Sequence, residues 1–483
     1  MIRSIRLKNL LDAIEYLDLC VDPDVDISGI AFDSRQVRAG DLFIAIVGTQ
    51  DDGHNYIDQA IERGAAAVIG QRARPGRINY IRVADSRIAL ADLAAAFYDH
   101  PTRGLFTVGV TGTNGKTTVV HLLGNLLDEQ RTAQLSTILN AIGPRPIGLG
   151  TTTPESVEIQ ERAREALEAG KENLALEVSS HALTQGRVRG IDFDAAIFTN
   201  LTQDHFDYHR DWEGYLNAKL KLFTQYLNRD SWAIINGDDR WGDRFSQQAR
   251  GQVLRYGIDG ADLDLRAEAI SLDMHGSWFV ARTPQGRVEI ETKLPGKFNI
   301  YNTLAAIGVG LIRGIPVREV RDRIVRVTHI EGRFEILPTR TGFTVIIDFA
   351  HTPDALQQII GAIKPSYRRV ITVFGAGGES DRIKRPIMAQ VTGRLSDHTI
   401  VTSDNPKGED PEAIVREVVA GFAPDDAYEA IVDRRAAIRR ALELAEPGDA
   451  VLIAGKGHER TQIFKDREIV FNDKVFLQEE GII

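Results

Sequence analysis

Short β-branched runs alternate with amphipathic helical runs along most of this chain, and that order admits few folds. Strand followed by helix followed by strand calls for parallel sheets joined by crossover helices, an α/β fold. At 483 residues the chain exceeds what one hydrophobic core supports, which predicts about three domains. The first hundred residues carry FDSRQVRAGDLFIAIVG and a helical run near Tyr56–Gly64, and they close on YDHPTRG, a linker-like stretch. A central block starts at about Leu105 and reaches EGRFE at Glu331–Glu335. The last block opens with FTVIIDFAHTPDAL. No internal repeat, low-complexity tract or long charge run interrupts this plan.

Composition removes several function classes. Apolar residues make up 43% and charged residues 26%, the balance of a soluble globular protein. A formal charge of −10 argues against general nucleic-acid binding, so an anionic ligand must be held by locally placed basic groups. The single cysteine, Cys20, permits neither a disulfide framework nor a thiolate metal cluster. No segment is apolar enough to span a bilayer, and the start, MIRSIRLKNLLDAIEYLDL, has charges where a signal peptide needs an apolar run. A cytoplasmic location is expected.

The sharpest local signal is LFTVGVTGTNGKTTVVHLL. It resembles a phosphate loop but misses the common G-x-x-x-x-G-K-[ST] spacing, since the first glycine would fall at Val110. Two readings stand: a working nucleotide site with a tighter loop, or an ordinary strand-to-helix turn with a surface lysine. The context favours the first. LFTVGV reads as a strand and TTVVHLLGNLLDEQ as a helix, so a helix start would offer free N–H groups to phosphate. Gly112 and Gly115 allow close backbone approach, Lys116 can neutralise phosphate charge, and Thr117 can offer its hydroxyl to Mg2+.

Other polar residues fall at the ends of predicted strands: Glu177 after LALE, Asn200, Asp204 and His205 after AAIFT, Asp348 and His351 after VIID. VITVFGAGGESD, TIVTSDNPKGED and AVLIAGKGHE end strands in the same way. Ligands in open α/β sheets bind beyond the carboxyl ends of strands, so these loops predict one large site. Each loop taken singly reads first as a solvated turn.

TGTNGKTT, LEVSSHAL, TNLTQDHFDYH, YLNAK, GKFNIYN, EGRFE, DFAHTPDAL and SDNPKGEDP occur in the order found in the Mur ligases, and the chain resembles that family over essentially its whole length. The N-terminal DSR and GDLF motifs place the resemblance in the branch that adds the third peptide residue of the peptidoglycan precursor. The resemblance implies three domains: a smaller N-terminal α/β domain for the UDP-sugar (residues 1–101), a central P-loop ATPase-like parallel sheet (102–331) and a C-terminal Rossmann-like sheet for the amino acid (332–483). It implies a monomeric, ATP-dependent ligase of cell-wall synthesis, with no nucleic acid and no membrane insertion. The D-glutamate carboxylate of UDP-N-acetylmuramoyl-L-alanyl-D-glutamate would take the γ-phosphate, and the amine of a diamino acid would displace phosphate from the acyl phosphate. Closure of the C-terminal domain over ATP would keep that intermediate from water.

The same resemblance assigns residues. Gly112, Thr113, Asn114, Gly115, Lys116, Thr117 and Thr118 hold ATP together with Asn299, Asn302, Arg333 and Asp348. Lys116, His205 and Lys219 are catalytic. Thr117, Glu177, His205 and Lys219 hold Mg2+, with Lys219 carbamylated to an N6-carboxylysine. On its own spacing Lys219, with Lys221 close by, reads as a solvated helix lysine. Phe32, Ser34, Thr49, Gln50 and Asp51 match contacts to uridine. Thr152, Thr153, Ser179, Gln185 and Arg187 match contacts to the muramoyl dipeptide. Ser380, Asp404, Asn405, Pro406, Lys407, Gly455 and Glu459 match the amino-acid pocket.

Two of these depart from the diaminopimelate pattern: Lys407 stands where an arginine is usual, and Ser380 where a second arginine is. Lysine lacks the planar fork of arginine, and Arg382 or Lys384 is a substitute. GKGHE at Gly455–Glu459 does fit that pattern. meso-2,6-Diaminopimelate is therefore expected, with L-lysine or another diamino acid as the alternative. A folylpolyglutamate synthase-like ligase and a non-catalytic nucleotide sensor remain as readings from other classes.

Overall fold

Three separate sheets organise the computed structural model, which describes residues 4–48, 51–74, 79–138 and 152–483. The N-terminal sheet has five strands in the order Asp18–Cys20, Tyr80–Arg82, Ala67–Gly70, Asp41–Ile44, Gly29–Ala31, parallel except for the first pair. Successive side chains point to opposite faces. Leu42 and Ile44 thus join a core with the helix Ser86–Phe97, and Phe43 joins the opposite core with Ile57 and Ala60.

The central sheet has nine strands. From Thr132–Leu135 it runs through Asn173–Glu177, Phe106–Thr111, Phe193–Phe198, Leu227–Asn236 and Gln252–Gly257 to Leu265–Asp273, all parallel. Helices cover both faces. Lys116–Leu126 and Lys297–Ile312 bury Val119, Leu123, Leu304 and Ile307 on one side, and Ser156–Glu168 and Trp212–Lys221 bury Ile159, Ala163, Tyr215 and Leu216 on the other. Phe106–Thr111 lies between strands that follow it in sequence on either side, so strand order reverses there. That switch point opens a crevice at the carboxyl end, where the glycine loop lies.

Beyond Leu265–Asp273 the sheet continues antiparallel through Gly276–Thr283 and Gly286–Thr292. Strand–helix alternation alone predicts only parallel pairing. The hairpins escape it because their signal is different: MHG and PQG turns between runs that alternate buried and exposed, as in GRVEIET.

The C-terminal sheet runs Glu335–Pro338, Thr344–Asp348, Ala450–Ala454, Val370–Ala376, His398–Ser403, Tyr428–Ala430, antiparallel only at the first pair. Helices Pro353–Ile363, Lys384–Leu395 and Pro411–Val419 cover one face, and Arg434–Leu444 and Asp473–Glu479 the other. This is the doubly wound sheet expected for the last block.

Candidate active site

The glycine loop follows Phe106–Thr111 without a spacer, and its backbone presses on two neighbours. Gly112 (φ 154°) and Gly115 (φ 88°) have conformations that favour glycine, and a Cβ on them would overlap Thr199 Oγ1 and Asn302 Oδ1. The loop has two residues between its glycines where the common spacing has four, and its course is correspondingly tight. Thr113 N donates to Asn200 O (2.9 Å), Asn114 N to Asn200 Oδ1 (2.9 Å), and Thr199 Oγ1 to Asn114 O (2.7 Å). Asn302 donates to Asn299 Oδ1 at 3.0 Å, and Asn299 to Pro295 O at 2.8 Å, so both are fixed at the start of Lys297–Ile312.

Lys116 opens the helix and folds back on its own loop, donating to Gly112 O (3.0 Å) and Thr113 O (2.8 Å). Burial lowers its pKa, against the pull of Glu177 and Asp204. Its ammonium thus caps two carbonyls of its own loop. Thr118 is buried, and Thr117 Oγ1 accepts from Arg333 Nη2 at 3.0 Å.

Lys219 is only 1% exposed, and the solvated-lysine reading does not hold. On the helix Trp212–Lys221, Tyr215 and Lys219 share the inward face four residues apart. Lys219 Nζ donates to Gly112 O at 2.8 Å and lies 4.6 Å from the Tyr215 ring centre. Burial, with repulsion from Lys116, drives its pKa far below the usual lysine range.

Glu177, also 1% exposed, accepts from Thr137 N (2.9 Å) and Thr137 Oγ1 (3.3 Å). His205 has a left-handed backbone (φ 58°), and its Nε2 stands 3.4 Å from Asp204 Oδ2. Burial pushes its pKa down to about 3, with Asp204 pulling the other way. Among the described residues no three His, Cys, Asp or Glu side chains gather as a metal cluster. Thr117, Glu177 and His205 offer one hydroxyl, one carboxylate and one imidazole. That set suits a hard cation whose other positions are filled by phosphate and water.

The muramoyl-dipeptide candidates form one patch beside Glu177. Thr153 Oγ1 donates to Glu177 O (2.9 Å) and accepts from Ser179 N (2.9 Å). Arg187 donates to Thr153 O (2.8 Å) and Gln185 Oε1 (2.9 Å) and pairs with Glu155 (3.0 Å), a partner the sequence did not single out. Thr152 is half-buried next to them. In the N-terminal domain, Ser34 donates to Gln59 (2.7 Å), Asp51 accepts from Tyr56 (2.7 Å), and Phe32 packs on the core. Thr49 and Gln50 lie outside the described residues.

The C-terminal domain faces the loop directly. Arg333 spans from Thr117 to the ring of Phe349, 4.4 Å away. Asp348 accepts from Phe334 N at 2.7 Å, and burial raises its pKa against the pull of Arg333. Asn114 donates to Asp354 at 3.0 Å. Lys384 Nζ pairs with Asp204 Oδ1 at 2.8 Å, both side chains being buried. Lys384 is thus committed to the central domain and does not reach the amino-acid pocket, and Arg382 turns outward to Glu417. Burial opposes the charge on Asp204, yet Lys384, His205 and His351 together hold its carboxyl well below the usual range.

In the amino-acid pocket, Ser380 Oγ donates to Gly377 O (2.7 Å), capping its own loop. Gly378 N donates to Asn405 O (2.9 Å), which holds that loop against Asn405–Pro406. Lys407 has φ 52°, its N donates to Ile463 O (2.9 Å), and its ammonium has no ion pair among the described residues. Asp404 is buried beside Gly455, and Asn405 donates to Glu459 Oε2 at 2.8 Å.

A phosphate loop at the switch point of one parallel sheet, closed over by a second doubly wound sheet, is the plan of a nucleotide-dependent ligase. Comparison with known proteins makes the class specific. Residues 26–98 match the Mur ligase family, catalytic domain, residues 110–310 the Mur ligase middle domain, and residues 332–457 the Mur ligase, glutamate ligase domain. The UDP-N-acetylmuramoyl-L-alanyl-D-glutamate–2,6-diaminopimelate ligase of Geobacillus thermodenitrificans is 43% identical over 458 residues, 93% of this chain and 94% of the relative. A solved structure of a ligase of that name superposes with a TM-score of 0.68 at 30% identity, covering 99% of this chain and 98% of the other. The Thermotoga maritima MurF ligase in complex with ADP shares the fold, at 20% identity and a TM-score of 0.65 over 89% of this chain and 94% of that one. The chain belongs to the Mur ligase family, and with it to the ATP-dependent amide-forming ligases of peptidoglycan synthesis. Among the described residues no helix is long and apolar enough to cross a membrane.

Proposed function

We propose that this enzyme joins the D-glutamate carboxylate of UDP-N-acetylmuramoyl-L-alanyl-D-glutamate to meso-2,6-diaminopimelate, consuming ATP and releasing ADP and phosphate. The observation that carries the reading is the full-length likeness to ligases of that name. The site supports it. Boundaries after residues 101 and 331 divide the labour: sugar nucleotide first, ATP second, amino acid last.

The first step brings a carboxylate to a triphosphate, so neutralising charge and holding geometry dominate. Lys116 exchanges its loop carbonyls for phosphate oxygens, and the loop N–H groups take the rest. Arg333, lying on Thr117, adds a second cation from the C-terminal domain. Asn299 and Asn302 shape the nucleotide side. Thr117, Glu177 and His205 would hold Mg2+, which supplies further positive charge at the phosphates when bound. Burial disfavours the charged form of Lys219 and so favours the amine that adds CO2; the nitrogen forms a bond to carbon and releases one proton, leaving a carbamate. That anion adds a carboxylate where the donor set has only one. The patch of Thr152, Thr153, Ser179, Gln185 and Arg187 lies beside Glu177, where it would orient the dipeptide.

A second reading, L-lysine or another diamino acid, is favoured by Ser380 and Lys407: one is absorbed in its own loop, and the other offers a point charge in place of a fork. The test is phosphate release from purified muramoyl dipeptide, ATP and a panel of diamino acids. Release should need both co-substrates and be fastest with diaminopimelate. Release without the dipeptide defeats the ligase reading; preference for L-lysine selects the second.

A further inference from the structure

At the end of the strand Ala450–Ala454 the chain turns through Gly455, and the next side chain points inward. Lys456 is fully buried, which is costly for a cation unless it is paired. It is paired twice. Its Nζ donates to Glu459 Oε2 at 2.7 Å and to Asn405 Oδ1 at 3.0 Å. Asn405 closes the triangle, its Nδ2 donating to the same Glu459 oxygen at 2.8 Å while Oδ1 also accepts from Ile463 N at 3.1 Å. Asn472 fixes the Glu459 backbone through its carbonyl (2.9 Å). Two donors therefore converge on Oε2, and among the described residues none is recorded on Oε1. The Glu459 side chain keeps 30% of its surface open. The other buried cation near it, Arg434, is occupied by Asp473 through two bonds of 2.8 Å.

We propose that Lys456, acting with Asn405, is a positioning residue for amino-acid recognition: it pins one oxygen of Glu459 so that the other is presented to an ammonium on the side chain of the incoming amino acid. This rests on the reading of Glu459 as part of the amino-acid pocket. A free glutamate samples several rotamers and loses that freedom on binding. One locked by a buried lysine has already lost it. The lysine itself touches no substrate; its effect passes through Glu459.

The experiment compares two pairs of amino acids that differ only in the side-chain ammonium: 2,6-diaminopimelate against 2-aminopimelate, and L-lysine against L-norleucine. Rates of phosphate release are measured with ATP and muramoyl dipeptide saturating, for the intact enzyme and for Lys456→Met. In the variant, kcat/KM for the ammonium-bearing member should fall about ten- to a hundredfold through a higher KM, the worth of a charged hydrogen bond. The ammonium-free member and the KM for ATP should stay close to the intact enzyme's values. A general structural role would depress both members alike, and that result overturns the proposal, as does an unchanged preference. If the intact enzyme itself shows no preference for the ammonium, the Glu459 reading falls and the proposal with it. Should Lys456→Met not fold, Lys456→Gln is judged by the same criterion.

Discussion

Lys384 and Asp204 form a charged pair across the face between the central and C-terminal domains, and its worth can be worked out. At 2.8 Å the gross attraction is about 6 kcal/mol for an effective dielectric of about 20. Desolvation of two nearly buried charges offsets much of it, and removing one partner of such a pair costs about 3–5 kcal/mol. The two removals should differ. Asp204→Asn leaves a buried ammonium without its counter-charge. Lys384→Met leaves a carboxylate still faced by His205 at 3.4 Å and His351 at 3.8 Å. The His205 backbone N–H also donates to Asp204 Oδ1 at 3.0 Å, so the carboxylate keeps a polar partner after the lysine is gone. We expect losses of about 4 kcal/mol for Asp204→Asn, about 3 kcal/mol for Lys384→Met, and a double variant about 2 kcal/mol better than their sum. All four tryptophans, 212, 232, 241 and 278, lie in the central domain, so their fluorescence in a urea titration follows its unfolding. Additive losses, or a transition unmoved by Lys384→Met, would refute the reasoning.

Other substitutions test the site in different ways. Gly115→Ala forces φ 88° on a residue with a Cβ and drives it into Asn302, a backbone strain of about 1–3 kcal/mol; ATP affinity measured by calorimetry should fall about tenfold or more, and unchanged affinity would contradict the loop geometry. Lys219→Ala should abolish amide formation and remove the carbamate mass seen in gentle native mass spectrometry, with partial rescue by a small carboxylate; full activity without rescue would dispose of the carbamate. His209 is nearly buried, its Nε2 has no hydrogen-bond partner among the described residues, and burial lowers its pKa to about 4. The unfolded chain then binds more protons between about pH 4 and 6.5, so His209 contributes stability at neutral pH that is lost as pH falls, about 2 kcal/mol by pH 5. His209→Phe should narrow the difference in unfolding free energy between pH 7.5 and 5, and an unchanged difference would contradict this.

Much of the site was legible because its residues sit where the chain's local grammar puts them. Glu177, His205 and the glycine loop lie at strand ends along one edge of the central sheet, and Asp348 ends a strand of the C-terminal sheet. The parts that were not legible depend on distant partners. Lys219 reads as a solvated lysine until the helix is seen to turn it toward Gly112. Lys384 reads as a reserve cation for the substrate until Asp204, 180 residues earlier, is found against it. Glu155 against Arg187 and Asp354 against Asn114 escaped notice for the same reason.

The amino-acid sequence by itself determined the α/β alternation, the loop at Gly112–Thr118 and the family, because periodicity and motif order are local properties of the chain. Tertiary structure alone decided which charges are buried and against whom. Burial and partner distance set whether a lysine is a solvated cation, a buried amine whose charge is disfavoured or half of an ion pair, and both arise only when the separate sheets close on one another.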